Sequence, residues 1–285
     1  MPIPFVKDID FEYGKAQSVS ALVRRLIARN PGPFTYTGTG VYIIGEGDVA
    51  VIDPGPVLDE HEAALDAALE GERVSAVLVT HHHLDHSPLA HPLARKHGAP
   101  VYGRAAPERH KPLSGDQPVT EEGADAAFTP DIELQDGQTI SGPGWTLEAI
   151  ATPGHTSNHV CFGFAEEAAC FTGDHVMGWS TSVVVPPDGN MNAYLESLQK
   201  IRTREFETLW PTHGPPITRP DRFLRAYIGH RLQREKQIRD QVAQGRTTPE
   251  DIVPKLYSGV DKRLWPAAAM SVKAHLERLK ENGEI

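Results

Sequence analysis

Five side chains able to hold a metal fall within one short stretch, Thr80-His81-His82-His83-Leu84-Asp85-His86: His81, His82, His83, Asp85 and His86. A zinc ion that does chemistry needs three protein ligands and one open position. The stretch therefore supplies more ligands than one metal uses, which points to two. Three later residues complete a site: His155 in Thr152-Pro153-Gly154-His155-Thr156, Asp174 in Thr172-Gly173-Asp174, and His213 in Pro211-Thr212-His213-Gly214. Each lies in a Gly-containing turn after a segment with strand character. Two cations sharing one water lower its pKa to about 7 and supply hydroxide at neutral pH. Such a site attacks an electrophilic carbonyl or phosphorus, and the cations stabilise the charge that develops on oxygen. Neutral imidazoles leave the metals strongly positive, and two carboxylates offset the repulsion between them. In an extended segment His82 alternates away from its neighbours, so a packing or rim role is expected for it. His159 and His175 flank the site in sequence and are candidates for substrate contact or proton donation.

The elements around these residues read as a layered α/β body. The span from Ser18 to Ala28 predicts a first strand, and Asn30-Pro31-Gly32-Pro33 a turn. Val41 to Ile44 and Val49 to Ile52 predict a hairpin, which ends at Asp53-Pro54-Gly55. Residues 59–70 have helical spacing and stop at Gly71. Val74 to Val79 is an apolar, β-branched run without clean alternation, as in a strand buried on both faces. The metal stretch begins where that run ends. Helical character returns at 88–97, followed by a strand from Pro100. The Pro, Gly and acidic residues of 104–130 predict a long surface loop placed as a flap over the substrate. Short strands follow at 132–134, 138–140 and 145–151, a hairpin at 159–164 and 169–172, and a helix from Met191 to Arg202. From Asp221 the pattern changes to three helices: 221–244, one opening at Thr248-Pro249, and Ala267 to Glu281. Three helices of this size resemble a winged-helix core without its wing. The chain divides into a body, 1–220, and a C-terminal helical domain, 221–285.

In order and wording, His81-x-His83-x-Asp85-His86, Thr152-Pro153-Gly154-His155, Thr172-Gly173-Asp174 and Thr212-His213-Gly214 resemble the metallo-β-lactamase-fold hydrolases. The resemblance covers about residues 18–218 and implies a four-layer αββα sandwich with two metals at one edge of its sheets. By match to the motif, His81, His83 and His155 hold the first metal. Asp85, His86 and His213 hold the second, and Asp174 bridges them, so that Asp85 and Asp174 are the carboxylates of the catalytic centre. An aspartate bridge with no cysteine ligand is similar to the glyoxalase II and RNA-processing branches. The resemblance also implies that Asp53 orients a ligand; read alone, it is equally a turn-forming Asp before Pro-Gly. Asn30-Pro31-Gly32-Pro33-Phe34-Thr35 resembles the mitochondrial lactamase-beta-like endoribonucleases and their bacterial relatives, which pair this fold with a small C-terminal helical domain. Departures are Gly40 where an amide is common, Leu84 where a basic residue is common, and Pro88-Leu89 where a Gly pair is common. They leave the metal ligands intact and bear on the substrate.

The chain has 285 residues and a formal net charge of -10. Residues 1–218 hold 14 Lys+Arg against 29 Asp+Glu, and residues 219–285 hold 14 against 9. The basic tail is either a surface for nucleic acid or an acidic partner, or a solvated helical face. No apolar run approaches a membrane span, and the first residues lack a signal pattern, so a cytoplasmic protein without membrane partners is expected. Cys161 and Cys170 flank a hairpin turn and could form a cross-strand disulfide; two free thiols are the better reading. All-N/O ligation suits two zinc ions and also admits iron or manganese. The leading expectation is a dinuclear hydrolase that cleaves RNA phosphodiester bonds, with single-stranded RNA as the partner. The runner-up is a glyoxalase II-like thioesterase, or another small-ester or lactone hydrolase. The complete ligand set argues against a non-catalytic scaffold. Oligomeric state is left open.

Overall fold

The computed structural model describes residues 2–107, 123–259 and 261–285. Two sheets lie face to face. The first follows the chain: β1 (Gln17–Ser18), β2 (Val23–Ile27), β3 (Gly40–Ile44), β4 (Asp48–Ile52), β5 (Arg73–Leu78), β6 (Val101–Gly103) and β7 (Ile132–Glu133). The second comprises β8 (Thr139–Gly142), β9 (Trp145–Ala151), β10 (Val160–Phe164), β11 (Ala169–Gly173) and β12 (Thr208–Pro211), side by side in that order.

The period of two along each strand divides the apolar residues between cores. From β3 and β4, Tyr42, Ile44, Ala50 and Ile52 enter the core between the sheets. Val41, Ile43, Val49 and Val51 face the other way, onto α1 (Asp59–Ala68) and α2 (Ala90–His97). In the second sheet Phe162, Phe164 and Phe171 enter the central core. Cys161 and Cys170, both free thiols, face an outer core beneath α3 (Met191–Arg202) and the first half of α4 (Pro220–Val242). The result is the αββα sandwich.

Strands β4 and β5 are parallel, as are β11 and β12. Because β10 is antiparallel to both β9 and β11, the C-terminal ends of β9, β11 and β12 lie together. The amide of Val160 donates to Thr80 O at 2.8 Å, and that of Gly40 to Thr212 O at 2.8 Å, so the strand ends of the two sheets are tied at one edge.

The span expected to be one strand, Ser18 to Ala28, is two. β1 pairs antiparallel with β2, and the chain reverses where the amides of Val19 and Ser20 both donate to Val23 O. Most of the expected flap, 108–122, lies outside the described residues. The part that follows pairs with the metal stretch: Leu84 N donates to Gly123 O and Asp125 N to His82 O.

The tail is α4, α5 (Pro249–Leu256) and α6 (Trp265–Glu281). It closes over its own apolar cluster, which includes Ile238, Ile252, Val272 and Leu279. Thr248 caps α5, its side chain accepting from Asp251 N. Helix α4 serves both units, because Phe223, Leu224 and Tyr227 belong to the outer core of the body.

Candidate metal centre

All seven expected ligands converge at the tied edge, each from a strand end. β5 delivers His81, His83, Asp85 and His86; β9 delivers His155; β11 and β12 deliver Asp174 and His213. Two of the turns require glycine. A Cβ on Gly154, at φ +142, would lie 2.3 Å from Tyr194 Cα, and one on Gly173, at φ +50, would lie 2.6 Å from His159 Nε2.

His81 Nε2 lies 2.9 Å from His83 Nδ1, and His155 Nε2 lies 3.3 Å from the same atom. Beside this trio, Asp85 Oδ2 lies 3.3 Å from His86 Nε2 and 3.1 Å from His213 Nε2. Asp174 sits between the two. Its Oδ1 is 3.4 Å from His213 Nε2 and 3.8 Å from His86 Nε2, and its Oδ2 is 3.9 Å from His155 Nε2. A tetrahedral ion with bonds near 2.0–2.1 Å holds its ligand atoms about 3.3 Å apart. The observed spacings match, and the donors are imidazole and carboxylate throughout. His86 Nε2 and Asp174 Oδ1 are buried without a hydrogen-bond partner among the described residues. Buried polar atoms are rarely left so. The arrangement fits two cations.

In four of the five imidazoles, those of His81, His86, His155 and His213, the second nitrogen is tied down, which fixes tautomer and ring orientation. Thr80 Oγ1 donates to Asp53 Oδ2 at 2.7 Å and so accepts from His81 Nδ1 at 3.0 Å. His86 Nδ1 donates to Asp53 Oδ2 at 2.9 Å. His155 Nδ1 donates to Val183 O at 2.6 Å, and His213 Nδ1 to Gly38 O at 3.1 Å. Asp53 has both roles that its sequence allowed. It turns the chain at φ +49, and its carboxylate accepts from Thr80 N, Thr80 Oγ1, His86 Nδ1 and Thr212 Oγ1.

Burial and the neighbouring imidazoles hold His81 and His83 well below the usual histidine range, so both present lone pairs. For His86 and His213 burial acts in the same direction but loses to the facing carboxylates. Asp85, Asp53 and Asp174 raise His86 well above its ordinary value, and Asp174 and Asp85 raise His213 to about 10. Without a metal these two rings carry protons that a cation must displace.

Three further histidines resolve differently. His82 is buried but points away from the cluster, with Nδ1 donating to Asn158 Oδ1 at 2.8 Å. His159 and His175 are both 0% exposed and are packed inside the chain. His159 Nε2 accepts from the Asp174 amide at 3.3 Å and Nδ1 donates to Thr152 Oγ1 at 2.8 Å, which positions Asp174. His175 packs on Tyr194, ring centroids 5.0 Å apart. Sequence reading missed Thr39, whose Oγ1 donates to Asp85 Oδ2 at 3.1 Å and which Asn30 braces at both its amide and its hydroxyl. It also missed the carbonyls of Gly38 and Val183. A backbone carbonyl carries no residue-type signal, so only the fold could reveal those two.

The ligands open on a small cleft walled by Pro33, Phe34, Met177, Trp179 and Val183, with Ser180 and Thr181. Tyr36 stacks on Trp179 at the same wall, with centroids 4.7 Å apart and planes 17° apart.

A two-sheet sandwich with seven convergent His and Asp side chains at its edge defines a class. Residues 36–213 match the metallo-beta-lactamase superfamily and residues 248–285 the beta-lactamase associated winged helix domain. The chain belongs to the metallo-beta-lactamase superfamily, whose members are generally metal-dependent hydrolases, and carries the associated winged helix domain. It is 30% identical to the beta-lactamase-like protein 2 homolog of Caenorhabditis elegans over 278 residues, which cover 94% of this chain and 88% of that one. It is 34% identical to an atrochrysone carboxyl ACP thioesterase of Aspergillus fumigatus over 229 residues, 77% of this chain and 64% of that one. A beta-lactamase domain protein of Burkholderia ambifaria has the same fold, with a TM-score of 0.79, 22% identity, and 97% and 91% of the two chains covered.

Proposed function

We propose that this protein is a dinuclear metal hydrolase of acyl thioesters or similarly activated esters. One observation carries the reading. Among the described residues, the cleft beside the ligands is lined by apolar side chains and hydroxyls, with no Lys or Arg. An RNA backbone is held mainly by cationic and hydrogen-bonding contacts to phosphate, whereas an acyl thioester is neutral at the reacting carbon and brings an apolar chain. The basic tail supports RNA less than its composition suggests. Arg225 pairs with Asp221, Lys236 with Asp240, Arg239 with Glu284, Arg263 with Asp261, and Arg278 with Glu235. Relatives named as ACP thioesterases agree with this reading.

His81, His83 and His155 would hold one cation, Asp85, His86 and His213 the other, and Asp174 would lie between them. Bound there, two metals supply Lewis acidity and a water of lowered pKa. The chain's own part is to keep His81 and His83 neutral, to fix four ring orientations, and to present the acyl group along the apolar wall. Zinc is the proposed occupant because the donors are nitrogen and oxygen in tetrahedral spacing. Metal analysis of the purified protein tests that choice against iron and manganese.

The metal-loaded protein should be assayed side by side on single-stranded RNA and on acyl-glutathione and acyl-coenzyme A thioesters. Thioester turnover at least 100-fold above the chelated control is expected. RNA cleavage without thioester turnover would overturn the proposal.

A further inference from the structure

His155 differs from the other ligands in what holds it. His81 and His86 are braced by Asp53, and His213 by Gly38, all within the two-sheet body. The Nδ1–H of His155 is held instead by the carbonyl of Val183, in the irregular segment between β11 and α3. The residue just before it, Ser182, is gripped by α4, the first of the three C-terminal helices, at both of its backbone groups. The Ser182 amide donates to Tyr227 Oη, and its carbonyl accepts from Arg231 Nη2. Tyr227 also donates to Ser180 O at 3.4 Å and lies 3.0 Å from Ser182 Oγ, which in turn donates to His175 O at 3.0 Å.

Arg231 is 4% exposed. Burying a guanidinium costs several kcal/mol unless partners compensate. Its compensation is the Ser182 carbonyl and the faces of Tyr194 and Tyr227, 5.3 and 5.9 Å from its central carbon. With Ser182 fixed on both sides, only the torsions of Val183 separate the clamp from the carbonyl that orients His155. Ser180, Thr181 and Val183 also line the cleft.

We propose that Tyr227 and Arg231 are positioning residues through which α4 sets the orientation of His155 and the shape of the adjoining cleft wall. This rests on the two-metal reading. On that reading the C-terminal domain completes the metal centre without contributing a ligand. Loosening the clamp lets Val183 O drift, so the His155 ring loses its fixed tautomer and the His81–His83–His155 trio its geometry. Losing a group that orients a ligand costs roughly 10- to 100-fold in metal affinity. One residue further removed, the expected loss is about 3- to 30-fold.

The experiment uses the full chain with Tyr227→Phe, Arg231→Met, Arg231→Lys and, as a control on the same helix, Arg225→Ala. Each is checked for folding by circular dichroism and titrated with zinc by chelator competition. Each is also loaded with cobalt(II), whose visible spectrum reports ligand geometry. Tyr227→Phe and Arg231→Met should weaken the first-trio metal and change the cobalt spectrum; Arg231→Lys should recover part of both, and Arg225→Ala should match the parent. In a His155→Ala background, Tyr227→Phe should add no further loss, because coupled residues are not additive. Should Arg231→Met not fold, Tyr227→Phe decides. Parental affinity and spectrum in folded Tyr227→Phe, or full additivity with His155→Ala, would overturn the proposal. A parent chain that binds no metal would instead overturn the two-metal reading beneath it.

Discussion

At the scale of single residues, Asp53 shows how a group that touches no substrate can govern the site. One carboxylate anchors His86 directly and His81 through Thr80. Asp53→Asn keeps the size and tolerates the left-handed backbone, but it places an N–H₂ against groups that donate. We expect a 10- to 100-fold loss of metal affinity and a lower melting temperature of the metal-free form, because buried donors lose their acceptor; parental affinity would refute the bracing role. Asp174→Ala and His86→Ala should abolish two-metal stoichiometry and turnover while the fold survives, and full activity without bound metal in either would sink the two-metal account. The protons on His213 give a pH signature. Its pKa is raised in the folded chain from the ordinary 6.5 to about 10. The stability it contributes is fully present below about 6.5 and is lost as pH rises through about 10. Chelated protein should therefore melt at progressively lower temperature across that window, and His213→Gln should flatten the trend. Metal affinity should rise over the same window, because binding expels the proton.

At the scale of elements, the site depends on turns that put strand ends against helices. Gly154 lies so close to the backbone of α3 that a methyl group has no room, and its φ of +142 is one that side chains rarely adopt. Gly154→Ala should cost about 2–4 kcal/mol and lower the melting temperature by about 5–10 °C, and the displaced turn should carry His155 with it. Calorimetry with a metal titration checks both; an unchanged melting point would mean that the turn relaxes freely. The pairing of 123–125 with the metal stretch is a second element-level tie. It holds the backbone of His82 and Leu84 through two hydrogen bonds.

For the whole molecule, body and tail each have an apolar core, and α4 takes part in both. Phe223, Leu224 and Tyr227 of α4 sit in the outer core of the body. Each large apolar side chain contributes about 1.5–3 kcal/mol by burial, against a total stability of about 5–15 kcal/mol. Removing 221–285 should leave an aggregating, poorly folded body. Size-exclusion chromatography and near-ultraviolet circular dichroism would show this, and a compact monomer with parental metal content would contradict it. Among the described residues no helix is long and apolar enough to cross a membrane.

Sequence alone proposed the seven candidate ligands, through motifs that resemble a known family, and most of the strands whose ends bring them together. Imidazole and carboxylate carry their chemistry in their identity, and runs such as Val74 to Val79 announce the strands whose ends hold them. It also left traces of the second domain, in the Thr248 cap and the change of character at Asp221. It could not place His159, because a histidine beside a ligand in sequence looks the same whether it faces substrate or braces the Asp174 amide. Nor could it find the carbonyls of Val183 and Gly38, or join Tyr227 and Arg231 to Ser182 across more than 40 residues. Each of those contacts has a backbone atom, common to every residue, on one side, and only the folded chain decides which of them meet.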